Sequence, residues 1–276
     1  MLTTLTQQQV EDFHSQGFHT PVRVMSVVQA QAYRSHFESF EQKFPDDVIK
    51  LDQKAHMLCP WIDDFIRLPG LLQPLQDLLG PNLLCWGTSL RLKESATRTF
   101  ASWHQDTAYA EVKPIVVICA LALSPCTIES GCIRVIPGSH KWDLLPHQEN
   151  FGTESLLTRE QSIGVPLDDR SAVDLVLQPG EVGFFNNAIC HSSGPNKSDD
   201  RRLVFLIEIV PTSAYQDQPR ESATLVSGVD EHQNFDEDKR PNKEMSQSAL
   251  AAWRQRVEGQ AEVLFKGAKR PPRALR

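Results

Sequence analysis

The first 81 residues carry apolar side chains at helical spacing, with helix-start signals at two points. Thr6 followed by Gln9, and Ser26 followed by Gln29, each form the pattern of a capping box, in which two side chains satisfy backbone N–H groups of the first helical turn. Gly17 is suited to end the first helix, because glycine readily adopts the left-handed conformation found there. The pattern therefore predicts two N-terminal helices.

An aromatic stripe follows the second of these signals, with intervals of three and four residues. Its members are Tyr33, Phe37, Phe40 and Phe44. Such a stripe more often packs into a core than binds a ligand, so we assign it to the core. Two short helices are expected around residues 61–67 and 71–79, broken by Pro69 and ended by Gly80.

From Asn82 onward the pattern changes to short apolar or alternating runs bounded by Pro, Gly and Ser. Runs of this kind predict β-strands. The runs are 82–93, 114–124, 131–140, 172–180, 181–188 and 201–211. Several strands without helical patterns between them are typical of an antiparallel barrel or jelly roll. The predicted fold class is mainly β with flanking helices, a double-stranded β-helix of the cupin-like, jelly-roll kind.

The rest of the chain predicts a lid and an extension. Residues 140–170 are long, polar and mixed, as in a large loop or lid. After Pro211 the chain turns polar and acidic, and residues 246–265 fit one more helix before a basic tail. Without repeats or a linker, we expect a single domain over 1–276. Its parts are a mainly helical 1–81, a jelly-roll core 82–211 and a C-terminal extension 212–276.

Composition argues against two classes of partner. A net charge of -7 and a pI near 5.7 do not fit a general nucleic-acid binder or an anionic-membrane binder, since both need a basic face. The six cysteines form no C-x-x-C pair, and no basic-then-apolar signal segment opens the chain. We therefore expect a cytoplasmic protein with reduced thiols. The pattern does not address the oligomeric state.

The residues that carry chemistry begin with His104-Gln105-Asp106, followed 85 residues after Asp106 by His191. Two imidazoles and one carboxylate on one face of a metal leave three positions open, which suits iron(II). Residues i and i+2 of a strand point to the same side, so the His-x-Asp spacing is sensible on a strand or at its end. Alone, this signal is weak, because nine histidines make a chance match easy.

An arginine at the start of the last core strand strengthens the hypothesis. Arg202 lies eleven residues beyond the last histidine of the trio. Its guanidinium can make two parallel hydrogen bonds to the distal carboxylate of 2-oxoglutarate, and Ser193 can add a hydroxyl donor. The alternative is that Arg201 and Arg202 are surface charges that pair with Asp199 and Asp200.

The sequence resembles the phytanoyl-CoA dioxygenase-like iron(II)/2-oxoglutarate oxygenases over roughly residues 7–211. The motifs that carry the resemblance are QVEDFHSQGF, WHQDTAY, ESGCIRVIPGSHK, LQPGEVGFFNNAICHSSGPN and DDRRL. The resemblance implies a jelly roll and three catalytic iron ligands. These ligands are His104, Asp106 and His191. It also implies that Arg202 and Ser193 contact 2-oxoglutarate, and that His140 ends a strand and is structural.

Three positions refine what the resemblance implies. Many relatives carry an aromatic residue after the tyrosine of TAYAEV, and many carry a glycine where this chain has LVFLIEIV. Both departures lie near the expected pocket, so the substrate is expected to differ from that of better-known relatives. In halogenating members a small apolar residue replaces the metal-binding carboxylate. The presence of Asp106 therefore favours oxygen transfer.

The expected activity is oxidation, most simply hydroxylation, of an unactivated C–H bond in a small molecule, with release of succinate and CO2. Fe(II), 2-oxoglutarate as co-substrate and O2 are the expected cofactors, with ascorbate as the reductant. One alternative is a non-enzymatic metal- or ligand-binding jelly roll, although a closed structural site would need a fourth protein ligand. Another is a zinc hydrolase, which would leave the arginine unexplained.

The predicted substrate-binding residues are Arg134, Gln105 and Tyr109, with Trp86, Arg91, Lys93 and His147 as further candidates for the pocket wall. Arg134 lies in an otherwise apolar strand, so its charge should line a cavity or pair with an acid. Trp86 also fits the core. Arg91 and Lys93 alternate with leucines, so they are expected to face solvent or a basic mouth. A basic mouth would suit an anionic molecule such as an acyl-CoA, a phosphonate or a carboxylate.

Overall fold

The structure, a computed structural model, describes residues 4–108, 112–149, 154–157, 161–216 and 220–264. The helices are α1 (Gln7–Gln16), α2 (Val27–Lys43), α3 (Pro60–Phe65), α4 (Pro69–Leu79) and α5 (Gln247–Leu264). The strands are β1 (Phe18–Arg23), β2 (Leu83–Lys93), β3 (Ala101–His104), β4 (Val117–Ala122), β5 (Ile133–Val135), β6 (His147–Glu149), β7 (Gln161–Ile163), β8 (Val173–Asp174), β9 (Glu181–Asn186), β10 (His191–Ser193), β11 (Arg202–Pro211), β12 (Ser222–Ser227) and β13 (Asp236–Glu237).

Both predicted capping boxes are present at the starts of α1 and α2. Thr6 and Ser26 accept from the backbone N–H groups of Gln9 and Gln29, whose side chains reach back to the caps. Gly17 ends α1 with φ 83°, the left-handed conformation that glycine adopts at little cost. The predicted boundaries of these two helices are therefore confirmed.

Pro69 begins a helix where the sequence predicted only a break. It stands at the first position of α4, where its missing N–H has no intrahelical partner to lose. The helix before it, α3, ends at Phe65, two residues earlier than predicted. Gly80 caps α4 as expected.

Two mainly antiparallel sheets form the β core of the molecule. The larger has seven strands in the order β1-β9-β4-β11-β2-β12-β13, and the smaller has the order β3-β10-β5-β8. Neighbouring strands run antiparallel, except for the parallel pair β12 and β13. Two such sheets around a shared interior are the arrangement of a jelly roll, so the predicted fold class is confirmed.

Alternation along the strands divides the apolar residues into two clusters. An outer cluster lies between the larger sheet and the helices, and it includes Phe205 of β11 with Phe37 and Phe40 of the aromatic stripe. An inner cluster lies between the two sheets, and it includes Val204 of β11 and Val135 of β5. The stripe is therefore core, as predicted. Both faces of the larger sheet are therefore covered by other parts of the chain.

The segment 140–170 contains regular structure. Strands β6 and β7 pair within it and form a separate two-stranded sheet. The predicted C-terminal helix is present as α5, whose Trp253 is buried in the outer cluster, while the basic tail lies outside the described residues. Within the described ranges, no helix is both long and apolar enough to cross a membrane. All six cysteines are buried free thiols.

Candidate metal centre

Strand pairing brings the two predicted histidine ligands together. His104 is the last residue of β3, His191 is the first of β10, and the two are direct partners in the antiparallel register. Their ring centroids lie 4.0 Å apart. Asp106 follows two residues after β3, at the start of a 3-10 helix. One ligand atom from each of the three residues lies within 4.8 Å of the others.

Backbone carbonyls fix the orientation of both imidazoles. The Nδ1 of His104 lies 2.7 Å from the carbonyl oxygen of Ser102, and the Nδ1 of His191 lies 3.0 Å from that of Ile189. A carbonyl only accepts, so each Nδ1 carries the proton and each Nε2 offers a lone pair. The Nε2 atoms lie 3.3 Å and 3.6 Å from the carboxylate oxygens of Asp106.

The charge states of the trio also suit a cation. Burial lowers the pKa of His191 to about 4, and the neighbouring His104 acts in the same direction. Burial opposes ionisation of Asp106, but the proximity of His191 and then of His104 outweighs it and lowers the pKa of Asp106 to about 2. Neutral imidazole and ionised carboxylate are the forms that bind a metal. These residues therefore fit a divalent metal with open coordination positions.

The two arginines of DDRRL, one just before β11 and one at its first residue, point in opposite directions. Arg201 points outward and pairs with Glu41 at 2.7 Å and with Glu94. Arg202 is 2% exposed and donates from Nη1 to the carbonyl oxygen of Gly131 at 2.6 Å, while its Nε has no hydrogen-bond partner. Only Arg202 therefore faces the interior, and the acid before the pair does not neutralise it, since Asp200 binds Arg34.

Lys93 joins Arg202 at the same place. The two residues are direct partners between β2 and β11, and Lys93 is 0% exposed. Its Nζ donates to Ser193 Oγ at 2.8 Å and to the carbonyl oxygens of Gly131 and Gly194. Burial, and then the charge of Arg202, lower the pKa of Lys93 to about 6.

Of the two expectations for Lys93, a pocket wall or a position facing solvent or a basic mouth, the structure excludes the solvent-facing position, because this side chain is fully buried beside Arg202. Alternation with Leu90 and Leu92 placed it on the opposite face from the leucines, but that face is the barrel interior. Among the described residues no carboxylate pairs with Lys93 or Arg202. A buried guanidinium and a buried amine without an acid form a site for a carboxylate ligand, because an unpaired charge is costly to bury and a bound carboxylate would supply the missing partner.

Gln105, predicted to bind substrate, is a link between backbone segments. It is 1% exposed. Its Nε2 donates to the carbonyl oxygen of Ala188 at 3.1 Å, and its Oε1 accepts from the N–H of Leu145 at 3.0 Å. Its own N–H donates to His147 Nε2 at 3.1 Å. We therefore reassign Gln105 and His147 from substrate contact to positioning of the metal motif.

Arg134 also lies away from the metal. In the register of β5 and β10, Val135 pairs with His191 and Arg134 pairs with Ser192. Alternation therefore puts Arg134 on the face of this sheet opposite to His191. Its Nε lies 2.8 Å from Asp174, its partner on β8. Of the two expectations for this charge, pairing with an acid is confirmed, and we remove Arg134 from the substrate-binding set.

The remaining candidates for the pocket wall lie in the core, in an ion pair or outside the described residues. Trp86 belongs to the inner cluster and donates from Nε1 to Glu221 at 2.7 Å. Arg91 pairs with Asp52. His140 packs against Gly17 and lies 3.2 Å from the carbonyl oxygen of His14, which agrees with its expected structural role. The third residue predicted to bind substrate, Tyr109, lies outside the described residues.

Comparisons with known proteins give the family. Residues 6–204 match the family Phytanoyl-CoA dioxygenase (PhyH). The chain therefore belongs to this family, as the motifs indicated. It is 26% identical over 223 residues to the peroxisomal phytanoyl-CoA dioxygenase of Homo sapiens. This match covers 72% of this chain and 66% of the human protein. Matches cover about half to two thirds of the length of such curated relatives.

Solved structures give the same fold. The chain is 26% identical to the non-heme monooxygenase ThoJ in its apo form, with a TM-score of 0.83, covering 94% of this chain and 98% of ThoJ. A structure of CytC3 with Fe(II) and alpha-ketoglutarate has a TM-score of 0.64 at 19% identity, covering 88% and 98%. This second likeness concerns the fold alone.

Proposed function

We propose that this protein is an Fe(II)- and 2-oxoglutarate-dependent dioxygenase that oxidises a C–H bond of a small molecule. The observation that carries the proposal is one interior that holds both the His104, Asp106, His191 trio and two basic side chains without an acid, Lys93 and Arg202. A structural metal site would explain the trio but not the cations. Membership of the PhyH family and the fold shared with an Fe(II) and alpha-ketoglutarate complex support the same activity.

Each group has a defined part in this proposal. The two Nε2 atoms and the Asp106 carboxylate would hold iron. Arg202, Ser193 and Lys93 would bind the distal carboxylate of 2-oxoglutarate, and Ser193 would also orient Lys93. When bound, iron and 2-oxoglutarate activate dioxygen and yield succinate and CO2. The protein keeps the imidazoles in one tautomer, fixes the motif through Gln105 and excludes water from the interior.

The substrate does not follow from the family. Relatives of this chain are named for phytanoyl-CoA, for hypophosphite and for L-proline, which are molecules of different charge and size. The substrate therefore has to be inferred from the side chains that line the interior of this chain.

Formation of succinate tests the activity without a known substrate. Oxygenases of this kind slowly convert 2-oxoglutarate in an uncoupled reaction, and ascorbate should sustain it by returning iron to the ferrous state. We expect succinate formation that requires Fe(II) and O2 and that Asp106→Ala abolishes. Binding of iron and 2-oxoglutarate without any succinate would instead support the non-enzymatic ligand-binding alternative.

A further inference from the structure

The inner face of the larger sheet carries a carboxylate that the proposed chemistry does not use. On β11, Glu208 lies between Leu206 and Val210, both of which pack in the inner cluster. Its direct partner on β2 is Gly87. A Cβ at position 87 would overlap Glu208 Oε2. The glycine therefore leaves the space that this carboxylate occupies inside the barrel.

A second polar group lies beside it without a partner. Ser89 follows Gly87 by two residues on β2, so it points to the same face. Ser89 is 5% exposed, and its hydroxyl has no hydrogen-bond partner. Within the described part of the chain, the Glu208 carboxylate likewise makes no hydrogen bond or ion pair. A buried hydroxyl without a partner is costly and uncommon, and beside a partly buried carboxylate that also has none it indicates a ligand.

The charges around Glu208 set it apart from the 2-oxoglutarate site. Burial, and then the charge of Asp106, raise the pKa of Glu208 to about 7, while Arg91 and Lys54 oppose this and Glu221 adds to it. Both opposing cations have their own acids, since Arg91 pairs with Asp52 and Lys54 with Asp238. Glu208 therefore has no counter-ion of its own.

The interior thus has two ends. Arg202 and Glu208 lie six residues apart on β11, which corresponds to roughly 20 Å at about 3.3 Å per residue. The basic end fits the distal carboxylate of 2-oxoglutarate. Glu208 lies near enough to the metal trio for the charge of Asp106 to raise its pKa. Its position is therefore available to the other reactant, the substrate.

We propose that Glu208 and Ser89 bind the substrate, and that this substrate carries a cationic nitrogen, such as a protonated amine, within reach of the metal. This inference rests on the proposed oxygenase function. It replaces the expectation of an anionic substrate, because Glu208 would repel a carboxylate, a phosphonate or the phosphates of an acyl-CoA. A cation would supply the counter-ion that Glu208 lacks, and Ser89 would accept a second N–H of the same group.

Three probes of similar size and different charge test the inference: benzylammonium, benzyl alcohol and benzoate. The full chain is loaded with Mn(II) and 2-oxoglutarate, and loss of the free Mn(II) signal in the EPR spectrum measures loading. Relaxation of the probe protons by the bound Mn(II) then measures binding near the metal. Benzylammonium should bind at least about tenfold more tightly than benzyl alcohol, as expected for a hydrogen-bonded charged pair, and benzoate should bind weakest.

Matched variants assign the preference to one carboxylate. Glu208→Gln should bring the affinities for benzylammonium and benzyl alcohol within about twofold of each other, while Glu129→Gln, at an exposed position, should keep the preference. Ser89→Ala should weaken benzylammonium several-fold and serves if Glu208→Gln does not fold.

The outcomes separate the two proposals. If the wild-type protein loads but binds the alcohol or benzoate as tightly as the amine, the cationic substrate is excluded and the oxygenase function stands. Retention of the preference in Glu208→Gln would also overturn the inference. If the protein does not load with Mn(II) and 2-oxoglutarate, it is the proposed function that fails.

Discussion

His104 and His191 share one structural device, a bond from Nδ1 to the carbonyl oxygen two residues earlier. His147 repeats it, with its Nδ1 2.7 Å from the carbonyl oxygen of Leu145. The bond needs no additional side chain, because the backbone two residues earlier supplies the acceptor. It holds the ring before any metal arrives, so little reorganisation accompanies binding.

At the same scale, the two neighbouring arginines should differ sharply in function. Arg202→Ala should raise the 2-oxoglutarate KM roughly a hundredfold, since loss of a charged bidentate contact costs on the order of 2–3 kcal/mol. Arg201→Ala removes only the pairs with Glu41 and Glu94, so the KM should stay close to the wild-type value. Steady-state kinetics of succinate formation measures both. The reverse ranking would show that the other arginine binds the co-substrate.

Lys93 should take up a proton when 2-oxoglutarate binds. Its pKa is lowered from 10.5 to about 6, so the amine is largely neutral at about pH 8. A bound carboxylate favours the ammonium form and raises this pKa again, which draws a proton from solvent. Calorimetry in buffers of different ionisation enthalpy should show uptake approaching about one proton at about pH 8, falling towards zero well below pH 6.

Lys93→Met is the matched control for this measurement, because it keeps the length of the side chain without the amine. It should bind 2-oxoglutarate more weakly and with almost no proton uptake. Equal uptake in the wild type and in Lys93→Met would assign the proton to another group.

The residues of the candidate site were unequally accessible to sequence reasoning. The trio and Arg202 stand in recognisable motifs, so their positions could be named from the sequence. Lys93 and Glu208 could not be placed, because alternation tells which residues share a face and not whether that face is solvent or interior. Arg134 was misplaced for the same reason: its strand is apolar on one side only.

At the level of elements, helices were predicted better than short strands. The capping boxes of α1 and α2 are local signals and could be read directly. Strands β3 and β10 have four and three residues and carry the polar side chains of the site, so no apolar run marks them. β1 contains Pro21, which argues against a strand in sequence, although it pairs along one edge of the larger sheet.

The segment 140–170 is expected to cover the site. Its base is bound to the metal motif through Gln105 and His147, while Trp142 and Leu144 are exposed apolar groups; Phe151 lies outside the described residues. An exposed apolar load of this kind needs a partner surface. Iron, 2-oxoglutarate and a substrate-like amine together should slow proteolytic cleavage within this segment, as followed by mass spectrometry.

Gln105→Leu provides the control for that experiment, since it keeps most of the volume and removes the two amide hydrogen bonds. Ligands should protect the segment less in this variant than in the wild type. If ligands leave the cleavage rate of the wild-type protein unchanged, the segment is packed on the barrel rim and does not close over the site.

Over the whole molecule, the outer cluster joins elements that are distant in sequence. Phe37 of α2, Phe205 of β11 and Trp253 of α5 are all buried in it, and Trp253 also donates to the carbonyl oxygen of Gln53 at 2.8 Å. We therefore expect the chain to unfold as a single domain in one transition. Circular dichroism and tryptophan fluorescence should change together. Separate transitions would show that the extension folds independently.

Trp253→Ala tests the same point by mutation. Removing this side chain should lower the free energy of unfolding by about 3–5 kcal/mol, the range for a large buried aromatic residue, and should shift both signals together. A change confined to the helical signal of α5 would contradict a shared core.

The central claim is that one interior binds Fe(II) through His104, Asp106 and His191 and 2-oxoglutarate beside it. Its most direct test is the charge-transfer absorption that appears when 2-oxoglutarate chelates protein-bound Fe(II) under anaerobic conditions. The account predicts saturation at about one equivalent of each in the wild type. It predicts loss of the absorption in His104→Ala, Asp106→Ala and His191→Ala, each with weakened iron binding. No absorption in the wild type, or full absorption in any of the three variants at ordinary iron concentration, would contradict it.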